Sequence, residues 1–145
     1  MTRTLIAAAL AVCVAGPALA DADAAIKYRQ NAMKAIGSQM GSIVAILKGE
    51  IDNKAALAKH AAIMGEATST AITIPAFKTN TDGQGDIKTT ATADVWGEWD
   101  KFEEGLRKLE QAGKDIAMAG ADASMDNVKA LGSACKACHD HFRQK

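Results

Sequence analysis

From Val95 the apolar side chains recur at Trp99, Phe102, Leu106, Leu109, Gly113 and Ile116, stepping by four and three in alternation. Only a helix lying lengthwise against other helices gives every one of those positions a buried side. The rest of the chain keeps the same period. An apolar face from Ile26 through Met33, Ile36, Met40 and Ile43 to Leu47 ends at Lys48-Gly49. A second helix is expected from the N-cap candidate Asn53 through Leu57, Ala61, Met64, Thr68 and Ala71, with Pro75 as its stop. Gly120-Ala121-Asp122 breaks the third helix, and Val128, Leu131, Cys135, Cys138 and Phe142 form the seam of a fourth. Strand signals are scarce. The expected fold is therefore all-α, an antiparallel up-down-up-down four-helix bundle, with KTNTDGQGDIKTT as an exposed connection.

The first twenty residues read differently. Arg3, the apolar run Leu5–Val14 and Ala18-Leu19-Ala20 before Asp21 form a secretory signal peptide with a small-residue cleavage site. The run is too short for a membrane span, and Val12 is too bulky a neighbour for Cys13 to serve as a lipid anchor. Residues 21–145 are then one domain exported to the periplasm, with no membrane insertion. Its 16 basic and 17 acidic side chains, once Arg3 is gone, give no electrostatic case for a nucleic-acid partner. No nucleophile–base pair suggests an enzyme.

Cleavage also removes Cys13, leaving Cys135 and Cys138 in C-K-A-C-H. Two cysteines in an oxidising compartment are by default a disulfide, and a helical interaction protein with a structural disulfide or zinc is the bland alternative. Zinc wants four ligands, and only His60 and His141 remain to supply them. A thioredoxin-type dithiol needs its first cysteine at a helix N-terminus, whereas this pair lies deep in one. C-x-x-C-H followed by almost nothing else is the attachment signal of haem c, with His139 as axial ligand. On a helix Cys135, Cys138 and His139 share a face, and that face is the core-facing seam.

With the motif at the C-terminal end (GSACKACHDHFRQK), and with YRQNAM, GSIVAILKGE, Val95-Trp96 and CHDxFRxK, the sequence resembles the class II c-type cytochromes, the cytochrome c′ family, across residues 21–145. The resemblance implies one covalent haem c held by Cys135 and Cys138 inside the bundle, with His139 as the proximal iron ligand. It implies that Arg29 approaches a haem propionate, Trp96 lies near the haem edge and Arg143 stands beside His139. Met33 is implied on the distal side, either as an apolar cover over five-coordinate, high-spin iron that binds NO and CO, or as the sixth ligand of a low-spin electron carrier of the cytochrome c-556 type. The five-coordinate reading is favoured. Redox proteins are the expected partners besides the gases, and GSIVAIL offers a homodimer interface as well as a core stripe. Met40, Met64, Trp99 and Phe102 are expected in the core, and His60 and His141 at the surface.

Overall fold

The computed structural model describes residues 17–144 and is helical almost throughout. The apolar run and Cys13 of the expected signal segment lie outside the described residues. Helix α1 (Pro17–Leu47) begins earlier than the periodicity indicated and crosses the expected cleavage junction. A short 3-10 turn (Lys54–Ala56) leads into α2 (Leu57–Thr68), then α3 (Thr70–Lys78), α4 (Asp94–Gly97), α5 (Trp99–Ala119) and α6 (Met125–Phe142). Helix α5 packs against α2 and α6, and α1 packs against α2 and α3. Four main helices make the expected bundle.

Two boundaries differ from expectation, each for a local reason. The second helix does not run to Pro75; it breaks at Ser69, whose backbone turns out of the helical region (φ −52°, ψ 136°). Ser69 instead caps α3: its hydroxyl accepts the Ala71 amide at 3.2 Å, and Glu110 on α5 accepts the Thr70 amide at 3.1 Å. Pro75 sits inside α3 because both it and Ala71, whose carbonyl loses its helical donor there, are exposed to water. The Asn53 side chain makes no capping hydrogen bond. The third helix is likewise split, with Glu98 (φ −119°, ψ 46°) separating the single turn of α4 from α5.

The interior has two parts. One, at the end remote from the C-terminus, is a conventional aliphatic core in which Ile43, Met64, Ile116 and Leu131 are fully buried. The other is aromatic: Phe102 meets Phe77 at 4.8 Å and Phe142 at 5.1 Å between ring centroids, both edge to face. Gly113 explains its place on the seam of α5. A Cβ there would overlap the Thr68 hydroxyl and lie 2.8 Å from Thr68 Cβ, so α2 and α5 approach closely only because the side chain is missing.

The connection 79–93 is no free loop. Asp23 Oδ1 accepts the amides of Asp86 and Ile87 at 2.8 and 3.0 Å, and Gln30 donates to the Lys88 carbonyl at 2.9 Å. Gly85, at φ +78°, leaves room for that carboxylate, since a Cβ would stand 2.5 Å from Asp23 Oδ1. An antiparallel bridge from Ala91 to Arg143, with Gln144 donating to the Thr90 carbonyl at 2.7 Å, ties the strap to the C-terminus.

Gly113→Ala is expected to destabilise the protein by about 1–3 kcal/mol through overpacking, lowering the thermal midpoint by several degrees. Denaturant and thermal unfolding of the two proteins check it; an unchanged midpoint would mean that the α2–α5 contact relaxes freely.

Candidate functional site

Between α1, α5, α6 and the strap lies a cavity of about 680 Å³, within the ~300–1,000 Å³ usual for cofactor pockets. Helix α6 supplies Cys135, Cys138 and His139 to one wall, because the three project from adjacent turns. Helix α1 supplies Met33, Ile36 and Met40; Val95, Phe102, Leu106 and Leu109 complete an apolar interior. Phe102 was expected in the core and serves both ends, since its ring packs in the aromatic cluster and borders the cavity.

Both cysteines are free and half-buried. Burial, followed by the neighbouring Cys135, pushes the Cys138 thiol up to about 11, and burial raises Cys135 as well. Neutral thiols are the opposite of what a redox dithiol needs. The one cluster of three His, Cys, Asp or Glu side chains among the described residues is exposed and consists of Asp94, Glu98 and His141, without either cysteine. Among the described residues no third His, Cys, Asp or Glu ligand atom is grouped with the two cysteines for zinc. Burial, then the Arg143 charge, lowers the His139 pKa, while Asp140 works the other way. This favours the neutral imidazole, the form that binds metals.

Arg29 is the anomaly of the site. Its side chain lines the cavity, yet the residue is only 2% exposed. One guanidinium nitrogen, Nη2, donates to Thr81 Oγ1 at 2.5 Å and Thr89 Oγ1 at 3.2 Å, and the group lies over the Trp96 and Phe77 rings at 5.3 and 5.8 Å. Nε and Nη1 are buried without any acceptor. Burial lowers its pKa, but a guanidinium keeps its charge, so two orphaned cationic donors demand an anion. A haem propionate meets that demand, and the neutral thiols, the imidazole and the apolar walls suit the macrocycle. The residues present fit haem c.

Trp96 is not among the lining side chains. It donates to the Phe77 carbonyl at 2.9 Å and reaches the site only through Arg29. Arg143 is exposed at the cavity margin, 3.4 Å from Thr90 Oγ1. His60 is remote, bonded to Gln39 at 2.8 Å, and His141 pairs with Glu98 at 2.8 Å at the surface. The strap threonines Thr81 and Thr89 escaped the sequence reading. The only hint was a concentration of threonine in a stretch otherwise made of turn formers.

A family model described as cytochrome c′ matches residues 24–143. The chain belongs to the cytochrome c′ family. Members of this family are non-enzymatic haem proteins that carry one covalent haem c, and Cys135 and Cys138 stand in the matching C-x-x-C-H. The cytochrome c′ of Pararhodospirillum photometricum is 37% identical over 130 residues, covering 86% of this chain and 100% of that protein. A cytochrome c-556 of Agrobacterium fabrum is 30% identical, covering 99% of this chain and 96% of that one. The fold matches a nitric oxide complex of a cytochrome c′ variant from Alcaligenes xylosoxidans with TM-score 0.72 at 22% identity, covering 86% of this chain and 97% of that one.

Arg29→Met should release Thr81 and Thr89 and loosen the strap. Limited trypsin digestion, followed by mass spectrometry, is expected to cut after Lys88 several-fold faster in the variant than in the parent. Equal rates would show that the Asp23 and C-terminal ties hold the strap without Arg29.

Proposed function

We propose that this protein is a periplasmic cytochrome c′ with five-coordinate, high-spin iron, which binds NO and CO and exchanges electrons. In this reading residues 1–20 are removed on export, and 21–145 fold as the single haem domain. The haem c iron supplies the gas-binding and one-electron chemistry. The observation that carries the reading is the composition of the cavity: among its lining residues His139 is the only imidazole, and beyond Arg29, Gln30 and Lys34 the side chains that α1 contributes, Met33, Ile36 and Met40, are apolar.

Each residue then has a role that follows from its surroundings. Cys135 and Cys138 hold the haem through thioether bonds, and His139, kept neutral, donates its imidazole to the iron. The orphaned Nε and Nη1 of Arg29 bind a propionate, while the Trp96 and Phe77 rings lie within cation–π distance of the guanidinium. Met33 covers the distal side as a flexible thioether that excludes water and yields to a diatomic gas. Arg143 sets the charge beside His139. A second reading, a low-spin His139/Met33 electron carrier, draws support from the presence of Met33 in the cavity wall and from the cytochrome c-556 relative.

The test is the visible spectrum of the ferrous protein before and after CO. A broad high-spin spectrum that shifts with CO is expected; sharp α and β bands indifferent to CO would replace the proposal with the methionine-ligated carrier. Met33→Ala should keep the covalent haem and speed CO association about tenfold, equivalent to ~1.4 kcal/mol of barrier. Loss of haem in that variant would mean that Met33 does not stand on the distal side. His139→Ala should perturb the iron spectrum on either reading.

A further inference from the structure

The charged side chains bordering the cavity are all of one sign. Arg29, Lys34 and Arg143 line it with His139, and no aspartate or glutamate does, although the chain holds 17 basic and 17 acidic side chains. Arg29 is committed at the base of the site. Lys34 and Arg143 are exposed, and neither forms an ion pair among the described residues. Lys27, two helical turns before Lys34 on the same side of α1, is also exposed and forms no ion pair among the described residues. Gln30, between them, holds the Lys88 carbonyl at 2.9 Å and so brings a fourth exposed cation alongside α1.

No carboxylate lines the opening, although Asp86, two residues before Lys88 on the strap, is exposed. Asp140, next to His139, pairs with Lys136, and Asp23 takes the strap amides. Two haem propionates would offset Arg29 and one further cation. A positive excess still remains on the rim, from Lys34 and Arg143, with Lys27 and Lys88 farther out along α1 and the strap.

We propose that this rim is the docking surface for an acidic one-electron carrier protein. The inference rests on the haem reading of the cavity. Opposite charge around the opening raises the encounter rate and orients the partner's redox centre toward the cofactor. A brief electron-transfer contact needs only a small, polar interface. One electron passes between the haem iron and the carrier's centre; when the ferrous protein is oxidised by a cupric carrier, iron goes to ferric and copper to cuprous, with no bond made and no proton moved.

The experiment uses the haem-loaded protein, with haem content measured first by pyridine haemochrome; less than one haem per chain would fault the cofactor reading rather than the docking surface. Stopped-flow oxidation of the ferrous protein is then followed with hexacyanoferrate(III), an anion, with tris(phenanthroline)cobalt(III), a cation, and with an acidic plastocyanin, from low to high ionic strength. The anion and plastocyanin are expected to slow several-fold as salt rises, while the cation speeds up or holds. Lys34→Glu should lower the low-salt rates of the anion and plastocyanin several-fold and converge with the parent at high salt. Lys59→Glu, on the exposed side of α2, should change neither. Rates that rise with salt for the anion, or an equal effect of Lys59→Glu, would overturn the proposal. Salt dependence with the small anion alone, and none with plastocyanin, would also overturn it, leaving a rim that attracts ions but docks no protein.

Discussion

The burial of one guanidinium organises the cofactor end of the molecule. Taking a charge out of water costs several kcal/mol unless hydrogen bonds and opposite charge offset it. Arg29 receives two threonine hydroxyls and two aromatic faces, and still keeps two donors without acceptors. The hydroxyls come from the strap, so solvating Arg29 and closing the strap over α1 are one event. The ring faces come from Phe77 at the end of α3 and Trp96 in α4, which fixes those short helices on the same side. What the protein leaves unsatisfied are two buried donors on a residue of the cavity wall.

The two halves of the interior divide the work. Near the α5–α6 turn, side chains such as Ile116 and Leu131 are fully buried, and Gly113 lets α2 and α5 close tightly. At the other end the helices stand apart around about 680 Å³. Such a space forfeits the dispersion contacts that packed side chains would have made. A bound macrocycle restores them and adds stability by mass action, since it favours the folded state. The remote half must therefore hold the bundle together well enough for the open half to remain open.

How much of this was legible in the sequence follows from the range of each interaction. The seam of α5 was readable because helical period and burial agree at every step from Phe102 to Ile116. The anchor was readable because Cys135, Cys138 and His139 are neighbours on one helix. Pro75 misled because the cost of a proline inside a helix is smaller where the freed carbonyl can reach water, and Ala71 on α3 is exposed; the helix still ends three residues later, at Lys78. The strap was read as an exposed connection because its ties span long separations: Arg29 to Thr81 and Thr89, Asp23 to Asp86 and Ile87. No local pattern records a hydroxyl that waits for an arginine 52 positions away.

The same division separates attachment from access. The covalent anchors and the imidazole for the iron would all come from α6, within one short stretch. The groups that would decide what reaches the iron come from α1, far earlier in the chain, with Met33 foremost among them. The two sets meet only across the cavity, so a change at Met33 need not disturb Cys135, Cys138 or His139. Distant sites of this kind contribute almost independently. In the proposed reading, the cover over the iron would change with the position of one thioether on α1 while the anchor on α6 stays as it is.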